Sequence, residues 1–136
     1  MSIVNIRAAL ETRLNAISPS LATAWESVPY TPVTGTPFQQ VNLLLNEAEN
    51  PTLGDGMYRV TGFLQVLLCY PPGVGAKAAA TRAELVRDWF PRGLGLSSGG
   101  QSVLIDRTPS IAPALIDGDR YRVPVSIYFT ADIFPT

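Results

Sequence analysis

The sequence predicts an α+β domain: a mostly antiparallel β-sheet with two α-helices packed on one face. Three observations carry that expectation. A one-sided apolar stripe marks a helix at the N-terminus. A long alternating run in the middle marks a strand. Near the C-terminus, an Asp-Gly turn between two extended apolar runs marks a hairpin. The 136 residues fit one domain, taken as residues 1–136. A chain of that size buries roughly 65–70% of its unfolded surface, enough for a core without staples.

The first helix is expected over Ser2 to Ile17. Ile3, Ile6, Leu10, Leu14 and Ile17 fall on one stripe, Arg7 and Glu11 pair one turn apart, Ser2 serves as N-cap, and Ser18-Pro19 ends the helix. Leu21 to Val28, around Trp25, reads as a short strand. Pro29 to Pro37 carries three prolines and suits no sheet interior, because each removes a backbone donor. It is expected to be extended and exposed, with Tyr30 and Val33 as contacts. Phe38 to Leu45 is the next strand, with Val41, Leu43 and Leu45 on one face. A polar loop follows from Asn46 to Gly56.

Met57 to Tyr70 is the longest expected strand. Val60, Leu64, Val66 and Leu68 share one face; Phe63, Leu67 and Cys69 share the other. A strand apolar on both faces has both faces covered. Two helices cover only one face of a modest sheet, so a neighbouring subunit is a candidate for the second. Pro71 to Gly75 leads into a second helix, Ala76 to Phe90, with Ala79, Ala83, Val86 and Phe90 as its stripe. Gly93 to Gln101 is glycine-rich and expected to be a mobile loop, followed by a strand from Val103 to Arg107. In the C-terminal hairpin, turning at Asp117-Gly118-Asp119, Val123, Val125, Ile127 and Phe129 alternate with Arg122, Pro124, Ser126 and Tyr128.

Composition narrows the function. Apolar residues make up 46% of the chain and charged residues 15%, against about 25% charged in a typical globular protein. Low charge points to apolar surface held against a partner. The net charge of −1 gives no overall drive toward nucleic acid or acidic membranes. Nine of the ten basic residues are Arg, with Lys77 the exception. Interface enrichment and GC-rich coding explain that equally well. The single Cys69 lies in an apolar run and makes no intrachain disulfide, so it reads as a small buried hydrophobe. No stretch has the character of a signal peptide or a membrane span, so the expected compartment is the cytoplasm of the cell that makes it.

The sequence holds no histidine, which removes the commonest general base and metal ligand. Asp117 with Asp119, and Glu47 with Glu49, read as turn and loop carboxylates. The one phosphate-like signal is Gly73-Val74-Gly75-Ala76-Lys77-Ala78. It superficially fits a dinucleotide fingerprint, but lacks the first-βαβ context, the tight turn and the distal acid. No catalytic residue, metal or cofactor is expected. Arg107, Arg120 and Arg122 gather around the C-terminal hairpin, where a solvated outer face competes with an inter-subunit or lumen-lining role.

The C-terminal run TPSIAPALIDGDRYRVPVSIYF, the opening SIVNIRAALETRL, the block NLLLNEAENPTLGDGMYR and the segment LCYPPGVGAKAAATRAELVRDWFPRG together resemble the tail terminators of long-tailed bacteriophages. The resemblance implies an α+β fold and a hexameric ring on the end of the tail tube. That ring would contact the tail tube protein on one side and a head-completion or connector protein on the other, and would reside in the virion. It transfers no site residue. Ring formers need heterologous contacts that close. The expected interface is the sheet face opposite the helices with adjoining loops, comprising Tyr30, Val33, Phe63, Leu67, Arg107, Arg120 and Arg122. The alternatives are another head–tail connector or tube-related subunit, and a nucleotide or small-ligand protein using the Gly73–Gly75 loop.

Overall fold

The computed structural model describes residues 3–18, 20–26, 28–31, 35–50, 56–71, 76–117 and 120–134. Its elements run α1 (Ile3–Asn15), β1 (Ala22–Ala24), β2 (Phe38–Leu45), β3 (Tyr58–Tyr70), α2 (Ala76–Trp89), β4 (Gly95–Ser98), β5 (Gln101–Leu104), β6 (Ser110–Ile111), β7 (Leu115–Asp117) and β8 (Arg120–Ile133). The chain thus mixes two helices with one sheet of order β1-β2-β3-β8-β5-β4, in which β6 and β7 also pair with β8. All pairings are antiparallel except β1 with β2.

The sheet is organised on β3 and β8, which pair from Tyr58↔Ile133 to Tyr70↔Tyr121. Alternation along both strands decides which side is dry. Val60, Leu64, Val66 and Leu68 of β3 lie beside Ala131, Ile127, Val125 and Val123 of β8, and all are buried. Val41 and Leu43 of β2 extend this core face. The same cluster includes Ile6, Leu10 and Leu14 of α1 and Ala79, Ala83 and Val86 of α2. Helix α1 packs on β4 and β5, and α2 on β8, β3 and β6. Burying a Leu or Ile such as Leu64 or Ile127, both fully inaccessible, stabilises by about 1.5–3 kcal/mol.

The C-terminal ends of the helices are clasped together. Arg13 donates from Nε and Nη2 to the Trp89 carbonyl at 3.1 and 2.9 Å, and Trp89 Nε1 donates to the Arg13 carbonyl at 2.7 Å. The Arg13 guanidinium also sits 4.2 Å from the Trp89 ring centroid.

Gly62 marks a close approach of two backbones. A Cβ there would run into the Leu44 carbonyl of β2, so only glycine lets β2 and β3 pair at this level.

The structure corrects several expectations. The strand expected over Leu21 to Val28 is reduced to Ala22–Ala24, and it stops before Trp25, which packs against the core. The mobile loop expected over Gly93 to Gln101 is mostly a hairpin. β4 and β5 pair from Gly95↔Leu104 to Ser98↔Gln101 around Gly99 and Gly100, with φ of 58° and 84°. A Gly-Gly pair supplies the two positive φ values of such a turn. The strand expected over Val103 to Arg107 begins and ends earlier, at Gln101 and Leu104. Buried Gln101 explains its start: Nε2 donates to the carbonyls of Ser102 and Asp132 at 2.9 and 3.0 Å. That ties the hairpin to β8, where the ladder is reduced to Leu104↔Thr130. Ser2, Pro19, Gly73 to Gly75, Gly118 and Asp119 lie outside the described residues.

Candidate assembly surface

The face opposite the core face follows from the same register. Its rows across β2, β3 and β8 are Phe38–Cys69–Arg122, Gln40–Leu67–Pro124, Asn42–Gln65–Ser126 and Leu44–Phe63–Tyr128. Two apolar bands therefore flank a polar row. Phe63, Leu67, Pro124 and Tyr128 are half-buried, and Leu44 is exposed. The Phe63 and Tyr128 rings meet at 5.8 Å, tilted 52°.

One end of this face is closed by the chain itself. Phe38 and Cys69 are buried there. Tyr30 lies 5.2 Å from the Phe38 ring and Arg120 lies 5.0 Å from it. Arg120 Nη1 also donates to the Thr36 carbonyl at 2.9 Å. Tyr30 thus lies over the Phe38 end, and Arg120 ties the Thr36 backbone to it.

The other end is polar. Arg59 donates from Nε to Asp132 at 2.8 Å, and the carboxylate holds the Arg59 guanidinium more firmly protonated than usual. Beside it, Thr130 Oγ1 donates to Asp106 at 2.7 Å. A surface groove of about 740 Å³ adjoins this end, lined by Ser97, Gln101, Leu104, Phe134 and the Arg59–Asp132 pair. Its two charges neutralise one another, which leaves no free acid–base couple among the described lining residues.

The structure divides the expected site residues. Phe63 and Leu67 share the open face, with Arg120 and Arg122 at its closed end. Arg107 lies toward the other end of the same face: its guanidinium is 4.9 Å from the Tyr128 ring, in the row of Phe63. Tyr128 lies six residues along β8 from Arg122, about 20 Å at strand rise. The three arginines therefore do not form one cluster. Tyr30 covers Phe38, while Val33 lies outside the described residues. Cys69 is buried, with its thiol near the Leu67 carbonyl at 3.6 Å. Gln39 and Gln101 were not anticipated as buried polar anchors; a glutamine beside a Gly-Gly turn is the one available hint.

Among the described residues no three His, Cys, Asp or Glu side chains gather as a metal site. No described helix is long and apolar enough to cross a membrane. The Gly73–Gly75 loop lies outside the described residues, so its chemistry rests on the sequence alone.

A family model described as the phage tail terminator protein matches residues 5–129. The chain belongs to the phage tail terminator family. That gives it a structural role in a phage tail and places it in a structural, not an enzymatic, family. Among solved structures, one protein without a functional name has a TM-score of 0.79 and 26% identity, covering 100% of this chain and 99% of its own. A chain in the virion of a native gene transfer agent particle has a TM-score of 0.67 and 16% identity, with 96% of each chain covered; that likeness shows a shared fold. No curated protein matches the chain.

Proposed function

We propose that this chain is the ring subunit that caps the end of a phage tail tube. Copies close head to tail, six by the resemblance stated above, stop tube polymerisation and form the tail side of the head–tail joint. The partners are further copies, the tail tube protein and a head-completion or connector protein, without sequence-specific nucleic-acid binding, membrane contact, cofactor or catalysis. The protein assembles in the host cytoplasm and ends at the head-proximal end of the tail in the virion. Both helices lie on one face in this reading; their shared core with one parity of β3 supports that.

The match to the family over residues 5–129 carries the proposal. The face bearing Phe63 and Leu67 supports it, since it offers apolar rows that the described residues cover in part, Tyr30 at the Phe38 end and Arg107 over Tyr128. Tyr30, Val33, Arg107, Arg120 and Arg122 belong to the same assembly surface or its margins.

The test is the solution mass by light scattering, with negative-stain images of the protein alone and mixed with tail tubes. A closed ring that adds only at tube ends is expected. A ring that joins elsewhere on the particle would make it a different connector. Protein that stays monomeric alone and on tubes would defeat the ring reading.

A further inference from the structure

Besides β4 at the end of the sheet path, two stretches of edge on opposite sides of the sheet have no neighbouring strand among the described residues. On one side β1 pairs only with Phe38–Gln40 of β2. The rest of β2 has no neighbouring strand there among the described residues. Its Leu43 N–H points outward and donates to Glu26 Oε1 at 2.9 Å. By alternation, Val41 and Leu45 turn their N–H and C=O groups the same way. On the opposite side β6 and β7 border β8, and no described strand lies beyond them.

Exposed apolar side chains gather at these two edges. Val28, Leu44 and Leu45 flank the first, at 56%, 43% and 40% exposure. Ile111, Leu115 and Ile116 occupy the second, at 36%, 57% and 84%. An open edge with large apolar side chains invites strand pairing, and isolated soluble proteins avoid it. The edges also differ in shape. Beside β2 lies a groove of about 230 Å³, lined by Trp25, Glu26, Val28, Tyr30, Val41 and neighbours. Ile116, by contrast, projects almost wholly into solvent. A knob unlike its hole builds a heterologous contact.

Strand direction and charge agree with such a contact. β2 is antiparallel to β3, β3 to β8, and β8 to β6 and β7. So β2 runs opposite to β7, and a like-oriented second copy beyond β7 presents its β2 antiparallel. Exposed Glu47 follows β2. Exposed Arg107, three residues before β6, stands over the Tyr128 ring of β8, with Asp106 beside it taken up by the Thr130 hydroxyl. An acid near the first edge thus faces a base near the second.

We propose that the β6–β7 edge of one subunit docks on the β2 edge of the next, with Leu115 and Ile116 seated over the Trp25–Val28 groove. The occupant of each edge is a second copy of this chain. The contact rests on the ring reading above and supplies its lateral joint.

The test uses Ile116→Lys and Leu45→Lys, changes at positions exposed in the single subunit, with Leu115→Lys repeating the knob arm. Circular dichroism and Tm should match the parent. Each variant alone is expected to be monomeric under conditions where the parent forms rings, or to lose binding at tube ends if rings close only there. Mixed one to one, Ile116→Lys retains the groove and Leu45→Lys retains the knob. The mixture should give a 1:1 dimer that grows no further. Rings that persist in either variant overturn the edge contact and leave the ring reading standing. Two monomeric variants that fail to pair overturn head-to-tail docking, as does capture of a different tail protein by the Ile116 edge in place of a second copy. A parent that forms no ring, alone or on tubes, removes the ring reading and this contact with it.

Discussion

The two faces of the β3–β8 pair share one backbone and differ in what closes them. On the core face the chain supplies every cover: Leu64, Val66, Leu68, Val125 and Ile127 are all inaccessible. On the open face Phe63, Leu67 and Tyr128 are only half-buried; among the described residues Tyr30 and Arg120 cover the Phe38 end and Arg107 lies over the Tyr128 ring. A strand apolar on both sides therefore does not name its second cover. Here part of that cover is Tyr30 and Arg120 of the same subunit, and in the proposed ring a neighbouring copy supplies the rest.

The largest effect is expected on the closed side. Leu64→Ala should cost about 2–5 kcal/mol, from lost transfer energy and a cavity the packed sheet cannot collapse. Urea unfolding of the subunit measures it; a loss under about 1 kcal/mol would mean the core face is loosely packed. Gly62→Val comes next. Its side chain meets the Leu44 carbonyl, a backbone atom that cannot swing aside. A loss of about 1–3 kcal/mol is expected, with faster amide exchange along β2. Unchanged exchange there would show that the strands part without cost.

The open face should respond differently. Phe63→Asp is expected to cost about 1–2 kcal/mol of subunit stability, less than Leu64→Ala, since Phe63 loses its ring contact with Tyr128 but keeps partial access to water. The same change should reduce assembly on tube ends at least tenfold, read by counting capped tubes in negative-stain images. Destabilisation on the scale of Leu64→Ala would make Phe63 a core residue, and the two faces would then not differ in kind.

Much of this contrast was legible in the residues. Alternation in Val123 to Phe129 and in Val60 to Leu68 identified the core face, because a period of two leaves only two assignments for each strand. The stripes of both helices were equally plain. The β4–β5 hairpin was missed although Leu94 and Leu96 before Gly99-Gly100, and Val103 and Ile105 after it, alternate toward the core; the glycines and serines between them were read as a loop composition. The early end of β1 was missed because it depends on a tertiary contact: beyond Gln40 the carboxylate of Glu26, not a strand, meets the edge of β2. The arginines were grouped by parity and nearness in sequence. That could not reveal that Arg120 reaches Phe38 while Arg107 lies over Tyr128.

Glu26 offers the smallest and most specific test, at the rim where the two faces meet the open β2 edge. Its carboxylate accepts the Leu43 N–H at 2.9 Å and an Arg7 N–H at 3.0 Å. The backbone hydrogen bond first, then Arg7, pull its pKa below the usual 4.5. A carboxylate with a lowered folded pKa adds stability above its unfolded value, and that stability is lost as pH falls through the folded value. Glu26→Gln keeps a carbonyl acceptor and removes the charge. The side chain is 35% exposed, so solvent screening limits the loss to about 0.2–1 kcal/mol near neutral pH. The Tm gap between parent and variant should shrink as pH drops below 4.5 and vanish below the folded value, where both side chains are neutral. A gap that stays constant through that range would assign the edge to the shape of the side chain rather than its charge, and Glu26 would then be a packing residue like Trp25 beside it.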